Sequence, residues 1–360
     1  MAKKRIGVLT SGGDCAGLNA VIRAVTRHAS EGYGWEVVGI LDGTRGVMER
    51  PMRTISLEHA VFSGTLLRQG GTILGTVNKG DPFAFPMPDG SLKDRSGDIL
   101  DGIQELGLSG VIGIGGDGSM KLLNRLAKQG GFQFIGVPKT IDNDVPSTDD
   151  AVGFSTAVDT AVDALDRLQP TAASHQRVLI LEVMGRDAGH IALSAGIAGG
   201  ADVILIPEIP YNMEVIAKRI RAIYDSGRHH SLMVVAEAVN PVDGDKTMHT
   251  YVDGESRYGG VAHMIGHAVQ DLTGAETRVT VLGYVQRGGT PTPRDRVIAS
   301  AFGVAAVDLI AEGKTEQVVT WRENRVIPVP LQEIAEGPAL VDLDGTLVRT
   351  ARGLHICLGD

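Results

Sequence analysis

Short apolar runs alternate along the chain with longer segments whose apolar residues recur at helical spacing. The runs at 5–10, 111–114, 178–183, 203–206, 232–236 and 279–282 predict strands. The segments at 18–29, 119–128, 154–168, 187–198, 213–224, 259–272 and 294–311 predict amphipathic helices. A further apolar run at 134–137 precedes an acidic turn. Such alternation is the mark of mostly parallel sheets with crossover helices, an α/β chain. Beyond 313 the pattern is less regular, with short strands expected at 317–321 and 339–341. Breaks fall at 81–97 and 240–260, both rich in turn residues, and no internal repeat is visible.

Length and composition narrow this picture. The 360 residues suffice for two domains of ordinary size or for one large α/β unit with insertions. With 43% hydrophobic and 21% charged residues, the chain falls in the ordinary globular range. Its 48 glycines are spread over many turns, as repeated strand-to-helix loops require. A formal charge of −9 argues against a general nucleic-acid or membrane surface, while leaving room for a locally basic pocket. Cys15 and Cys357, far apart and without a CxxC, indicate neither a disulfide framework nor a zinc site. With no apolar leader and no run of 18 apolar residues, a cytoplasmic location is expected.

Candidate chemistry gathers after the strands, where open α/β sheets place their ligands. Thr10-Ser11-Gly12-Gly13-Asp14 and Gly115-Gly116-Asp117-Gly118-Ser119 each follow an apolar run and lead into a helix. Glycines let the backbone approach a phosphate, and the helix amino terminus supplies N–H groups and a favourable dipole. Either stretch is also readable as a plain tight turn, and GGDG turns occur in lipid and NAD kinases too. Pro138-Lys139-Thr140-Ile141-Asp142-Asn143-Asp144 sets two carboxylates two residues apart. One acid suits proton removal from a hydroxyl and the other Mg²⁺, or the stretch is an Asx-rich turn before Pro146. Arg177, Arg186, Arg278 and Arg287 stand next to apolar strands, each suited to a phosphate or to a structural ion pair. His175, His229 and His230 lack a second ligand at metal spacing.

Taken in order, these motifs, with Gly153-Phe154-Ser155-Thr156-Ala157, Ser174-His175-Gln176-Arg177, Met184-Gly185-Arg186 and Leu282-Gly283-Tyr284-Val285-Gln286-Arg287-Gly288-Gly289, closely resemble the 6-phosphofructokinase family over roughly residues 5 to 310. The resemblance implies two Rossmann-like three-layer αβα domains with the active site in the cleft between them. Residues 1–153 plus about 286–315 are expected to bind the phosphoryl donor, 154–285 the sugar phosphate, and 316–360 to form an extension packing on the core. The implied reaction is Mg²⁺-dependent phosphoryl transfer to the 1-hydroxyl of fructose 6-phosphate.

Carried over residue by residue, the resemblance makes Asp142 the base, with Lys139, Thr140 and Arg186 as further catalytic groups. Asp117 and Asp144 are implied metal ligands, and Gly13, Gly116, Gly118, Ser119 and Lys79 donor contacts. Thr140, Met184, Gly185, Arg186, Glu237, Tyr284 and Arg287 are implied for the sugar phosphate on the same subunit. Arg177 and Arg278 match arginines lent to a neighbouring subunit, which implies a homodimer or homotetramer.

Three departures stand out. Gly75-Thr76-Val77-Asn78-Lys79 lacks an arginine common in bacterial ATP-dependent members, so Lys79 or Lys139 is expected to supply the charge. Tyr284 replaces a common histidine. Arg23, Arg27 and Arg228 match part of the family's allosteric phosphate site, but Gln169 replaces another of its arginines. The donor signature is mixed: glycine at 118 goes with ATP in the family, lysine at 139 with pyrophosphate. ATP is favoured, because steric exclusion is harder to bypass than an added cation. The alternatives are a reversible pyrophosphate-dependent enzyme and an idle sensor of nucleotide and sugar phosphate.

Overall fold

A computed structural model describes residues 3–58, 64–78, 80–244, 246–250, 256–335 and 337–360. It forms two compact units. The first comprises 1–140, 145–155 and 287–337; the second comprises 141–144, 156–286 and 338–360.

The first unit is built on an eight-stranded sheet. Its spatial order is Arg325–Pro330, Gln317–Arg322, Gln133–Thr140, Gly110–Gly115, Arg5–Thr10, Glu36–Ile40 and Thr54–Ser56, with Val152–Gly153 beside the end of Gln133–Thr140. Pairing is parallel through the middle and antiparallel only at the two edges. Gly110–Gly115 is buried along its whole length, which is why it reads as a continuous apolar run.

From Arg5–Thr10 the chain steps to one neighbour and later returns on the other side, at Gly110–Gly115. Right-handed crossovers therefore put the helices Leu18–Arg27 and Asp117–Gly130 on opposite faces. That reversal is a topological switch point, and the two glycine turns sit at it. The register aligns Thr10 with Ile114 and Gly115 with Pro138, so the turns leave the sheet side by side. The helix Pro293–Ala311 packs against Leu18–Arg27 through Gly303, where an added Cβ would stand 2.7 Å from that of Ala24. Phe134 and Phe302 are wholly buried, each stabilising the unit by roughly 1.5–3 kcal/mol.

The second unit holds a four-stranded, all-parallel sheet in the order Val203–Leu205, Ser231–Ala236, Val178–Val183, Thr277–Val281. Register pairs Val183 with Ala236 and Glu182 with Val281, so the turns after these three strands share one end of the sheet. Asn212 caps the helix Met213–Asp225 by accepting the Glu214 N–H at 2.9 Å.

Several elements depart from expectation. The helix at 154 runs on to His175 through Pro170; that proline is exposed, so solvent can serve the carbonyl it leaves behind. The helix expected from 187 begins at His190, because Gly185 and Arg186 take positive φ values of 148° and 49°. Residues 339–341 form no strand. The strand Arg325–Pro330, unanticipated in the sequence, runs through Pro328 and lies at a sheet edge, where a missing N–H is tolerated. The expected single extension 316–360 is two pieces. Its first part pairs in parallel with Gln133–Thr140, and 338–360 belongs to the second unit.

Candidate active site

In the first unit the loop after Arg5–Thr10 is drawn tight. The Ser11 N–H donates to Ile114 O at 2.9 Å, the Gly12 N–H to Val77 O at 3.1 Å, and Thr76 Oγ1 to Gly12 O at 2.6 Å. Gly12 has φ of 83°, where a side chain is strained. An added Cβ on Gly13 would stand 2.7 Å from Arg287 Nη1, and that arginine donates to Asp14 O at 3.2 Å. Arg287, assigned by resemblance to the sugar phosphate, thus stands in the first unit against the glycine loop.

Lys139 is 4% exposed, and its ammonium donates to the Gly13 carbonyl. Beneath the loop lies Cys15, fully buried, with its thiol pushed up to about 12 by desolvation against the opposing pull of Lys139.

The second glycine turn opens the helix Asp117–Gly130. Gly116 takes the N-cap position with no capping side chain among the described residues, leaving the first-turn N–H groups for an anion. Asp117 is half-exposed and 3.5 Å from Lys121. A Cβ placed on Gly118 meets nothing within 4 Å.

Gly12, Gly118 and Ser119 border a cavity of about 480 Å³ whose far wall includes Asn78, Phe83, Phe85 and Arg125. The Arg125 guanidinium lies 3.5 Å from the centre of the Phe83 ring. Lys79 lies outside the described residues.

Asn19 went unnoticed in the sequence, and Thr10 and Thr76 were named only within their motifs, without a role of their own. Asn19, wholly buried, accepts the Ile73 N–H at 2.8 Å and donates to Gln69 O and Gly70 O at 3.1 and 3.2 Å. It holds the segment that leads to the cavity wall. An asparagine inside an apolar helical stripe was the available signal.

Thr140 ends its strand opposite Gly153. Beyond it, in the second unit, Asp142 is 5% exposed, Asn143 turns the backbone with φ of 54°, and Asp144 is half-buried. In the same unit the Met184 N–H donates to Gln286 Oε1 at 2.7 Å and the Arg186 N–H to Glu237 Oε1 at 3.1 Å. These bonds fix the loop that carries Gly185 and leave the Arg186 side chain exposed. Asp187 accepts from Lys246 Nζ at 2.5 Å and Tyr258 OH at 3.0 Å, and the lysine holds its carboxyl below the usual range. Gln286 is 1% exposed and was named in the sequence only within its motif, without a role of its own. Tyr284 is 72% exposed.

Arg177 and Arg278 both close on Glu276, the former at 2.8 Å. Of the arginines matched to an effector site, Arg27 pairs with Glu31 at 3.0 Å and Arg228 with the buried Asp202. Among the described residues no three His, Cys, Asp or Glu side chains gather as a metal cage. No helix is long and apolar enough to cross a membrane.

Residues 5–310 match the protein family described as Phosphofructokinase. Over 357 residues the chain is 58% identical to the ATP-dependent 6-phosphofructokinase 1 of Synechocystis sp., covering 99% of each chain. It is 56% identical to the protein of the same name from Nostoc sp., again covering 99% of each. Among solved structures it resembles Pichia pastoris phosphofructokinase in the T-state, with a TM-score of 0.79 and 29% identity, over 93% of this chain and 36% of that one. It shares its fold with a pyrophosphate-dependent phosphofructokinase from Nitrosospira multiformis, with a TM-score of 0.81 and 22% identity over 100% of this chain and 93% of that one.

Proposed function

The chain belongs to the phosphofructokinase family, and we propose that it is a glycolytic, cytoplasmic enzyme that transfers the γ-phosphoryl group of ATP to the 1-hydroxyl of fructose 6-phosphate. The observation that carries the donor is Gly118, which borders the cavity beside Gly12 and presents no side chain to it. A nucleotide needs that room and pyrophosphate does not. Lys139 is compatible with the same reading, since an ammonium that donates to the Gly13 carbonyl of the donor loop can serve a nucleotide's phosphates as well as those of pyrophosphate.

Asp142 takes the proton of the 1-hydroxyl as that oxygen bonds to the γ-phosphorus. The bond from phosphorus to the β-phosphate oxygen breaks, and ADP leaves with the electron pair. The N–H groups of Gly13, Gly116, Gly118 and Ser119 hold the donor's phosphates, and Lys139 offsets charge on the departing one. Thr140 and Arg186 orient the sugar phosphate together with Met184, Gly185, Glu237, Tyr284 and Arg287.

The family requires a divalent metal. Asp117 and Asp144 are the carboxylates that would hold Mg²⁺, each offering the hard oxygen donor it takes alongside substrate phosphates. When bound it supplies charge neutralisation on the donor. Arg177 and Arg278, kept side by side by Glu276, are read as serving a neighbouring subunit's sugar phosphate in a homodimer or homotetramer.

The test is a donor comparison on one preparation with saturating fructose 6-phosphate and Mg²⁺. Turnover with ATP is expected, and turnover with pyrophosphate alone would overturn the donor. Asp142→Ser should lower kcat by roughly 10²-fold or more with little change in sugar-phosphate affinity. Near-normal turnover of that variant would remove Asp142 as the base.

A further inference from the structure

The segment 338–360 has no role in the chemistry above, yet one of its hydrogen bonds reaches the acidic turn. The Ala339 N–H donates to the Asp144 carbonyl at 2.8 Å. The Ala339 carbonyl lies 2.9 Å from His190 Nε2; a carbonyl only accepts, so that ring nitrogen carries the proton. Two residues on, the Val341 N–H donates to Glu208 Oε1 at 2.8 Å. The same carboxylate receives the Gly189 N–H at 3.0 Å, just ahead of the helix His190–Ala198.

The far end is fixed as well. The Ile204 N–H donates to Cys357 O at 2.9 Å, the Cys357 N–H to Asp202 O at 3.0 Å, and the Asn212 N–H to Gly359 O at 2.8 Å. The segment is therefore a strap tied to the second sheet at one end and to the acidic turn at the other.

We propose that Ala339 is a positioning residue, whose main-chain N–H, held by the His190 and Glu208 anchors, fixes the turn that carries Asp142 and Asp144. The proposal rests on the roles given above to those two acids. Their turn pivots on the left-handed Asn143 and lies outside any strand or helix, so its position depends on what it is tied to. A base displaced by about 1 Å loses up to 10²-fold in rate while the sites that bind substrate are unaltered.

Ala339→Pro deletes the N–H and Ala339→Val keeps it. Ala339→Pro is expected to lower kcat about 10-fold, with KM for fructose 6-phosphate and ATP within about twofold, and Ala339→Val to restore kcat. Amide exchange on the unliganded chain reads the contact without turnover. The peptide covering 141–145 should exchange about 10-fold faster in Ala339→Pro and in His190→Phe.

Wild-type kcat and exchange in Ala339→Pro would overturn the proposal, as would an equal loss of kcat in Ala339→Val. Should Ala339→Pro not fold, His190→Phe decides alone: faster exchange at 141–145 supports the strap, and unchanged exchange refutes it. Near-normal turnover of Asp142→Ser removes the catalytic reading instead and leaves the exchange result standing, so the two failures are told apart.

Discussion

The two units present their candidate residues at the same place, the carboxyl ends of parallel strands, but build them from different material. In the first unit the cradle is backbone: Gly12 in a left-handed turn, Gly13 pressed against Arg287, and Gly116 and Gly118 at an uncapped helix start. In the second unit the loops are held from behind by side chains. Gln286 holds Met184, Glu237 holds Arg186, and the buried Glu182 receives the Gly260 and Ala262 N–H groups at 2.8 and 3.0 Å. A phosphate chain is recognised by N–H groups that nothing obstructs, whereas a sugar phosphate needs arms whose bases must be fixed. The first kind of site fails when atoms are added, the second when they are removed.

Gly118→Asp adds atoms and charge at the open face of the cavity. We expect kcat/KM for ATP to fall roughly 10²-fold, about 2.7 kcal/mol of transition-state binding, with KM for fructose 6-phosphate within about twofold. Gly118 has room for a Cβ, so the fold should tolerate the change and thermal unfolding should move little. Steady-state kinetics with each substrate varied checks this. Unaltered kcat/KM for ATP would mean that the donor does not use this face, and the backbone-built half of the comparison would fall.

The same contrast explains what was legible in the sequence. Glycine turns behind apolar runs are local, so Gly115 to Ser119 and Thr10 to Asp14 could be placed at the carboxyl ends of strands from spacing alone, whereas the switch point needed the strand order. The strand and helix alternation was equally local and fixed most elements of both sheets. The supports of the second unit are not local. Gln286 meets Met184 from 102 residues away, and Glu208 meets Val341 across 133. A glutamine or glutamate in a turn carries no mark of such a partner. Arg287 illustrates the limit: its contact with Gly13 and Asp14 becomes visible only once both loops are in space. Pro328 and Pro170 misled in a simpler way, since each breaks a pattern that an exposed edge or face tolerates.

Gln286→Leu tests the other half by removing polar atoms from a site that stays filled. The variant keeps the volume and loses the acceptor for the Met184 N–H and the donor to Ala157 O, which lies 3.3 Å away. An unmet N–H in this part-buried loop costs roughly 1–3 kcal/mol, and the loop can recover it only by turning outward. That motion displaces Gly185 and Arg186, so KM for fructose 6-phosphate should rise about 10-fold while KM for ATP stays within about twofold. Gln286→Glu keeps an acceptor for Met184 but sets a buried carboxylate against Ala157 O, so it should recover the affinity only in part. If both variants raise the two KM values equally, the side chain supports the whole chain and not this loop, and the division between a backbone-built and a side-chain-supported site fails at its second half.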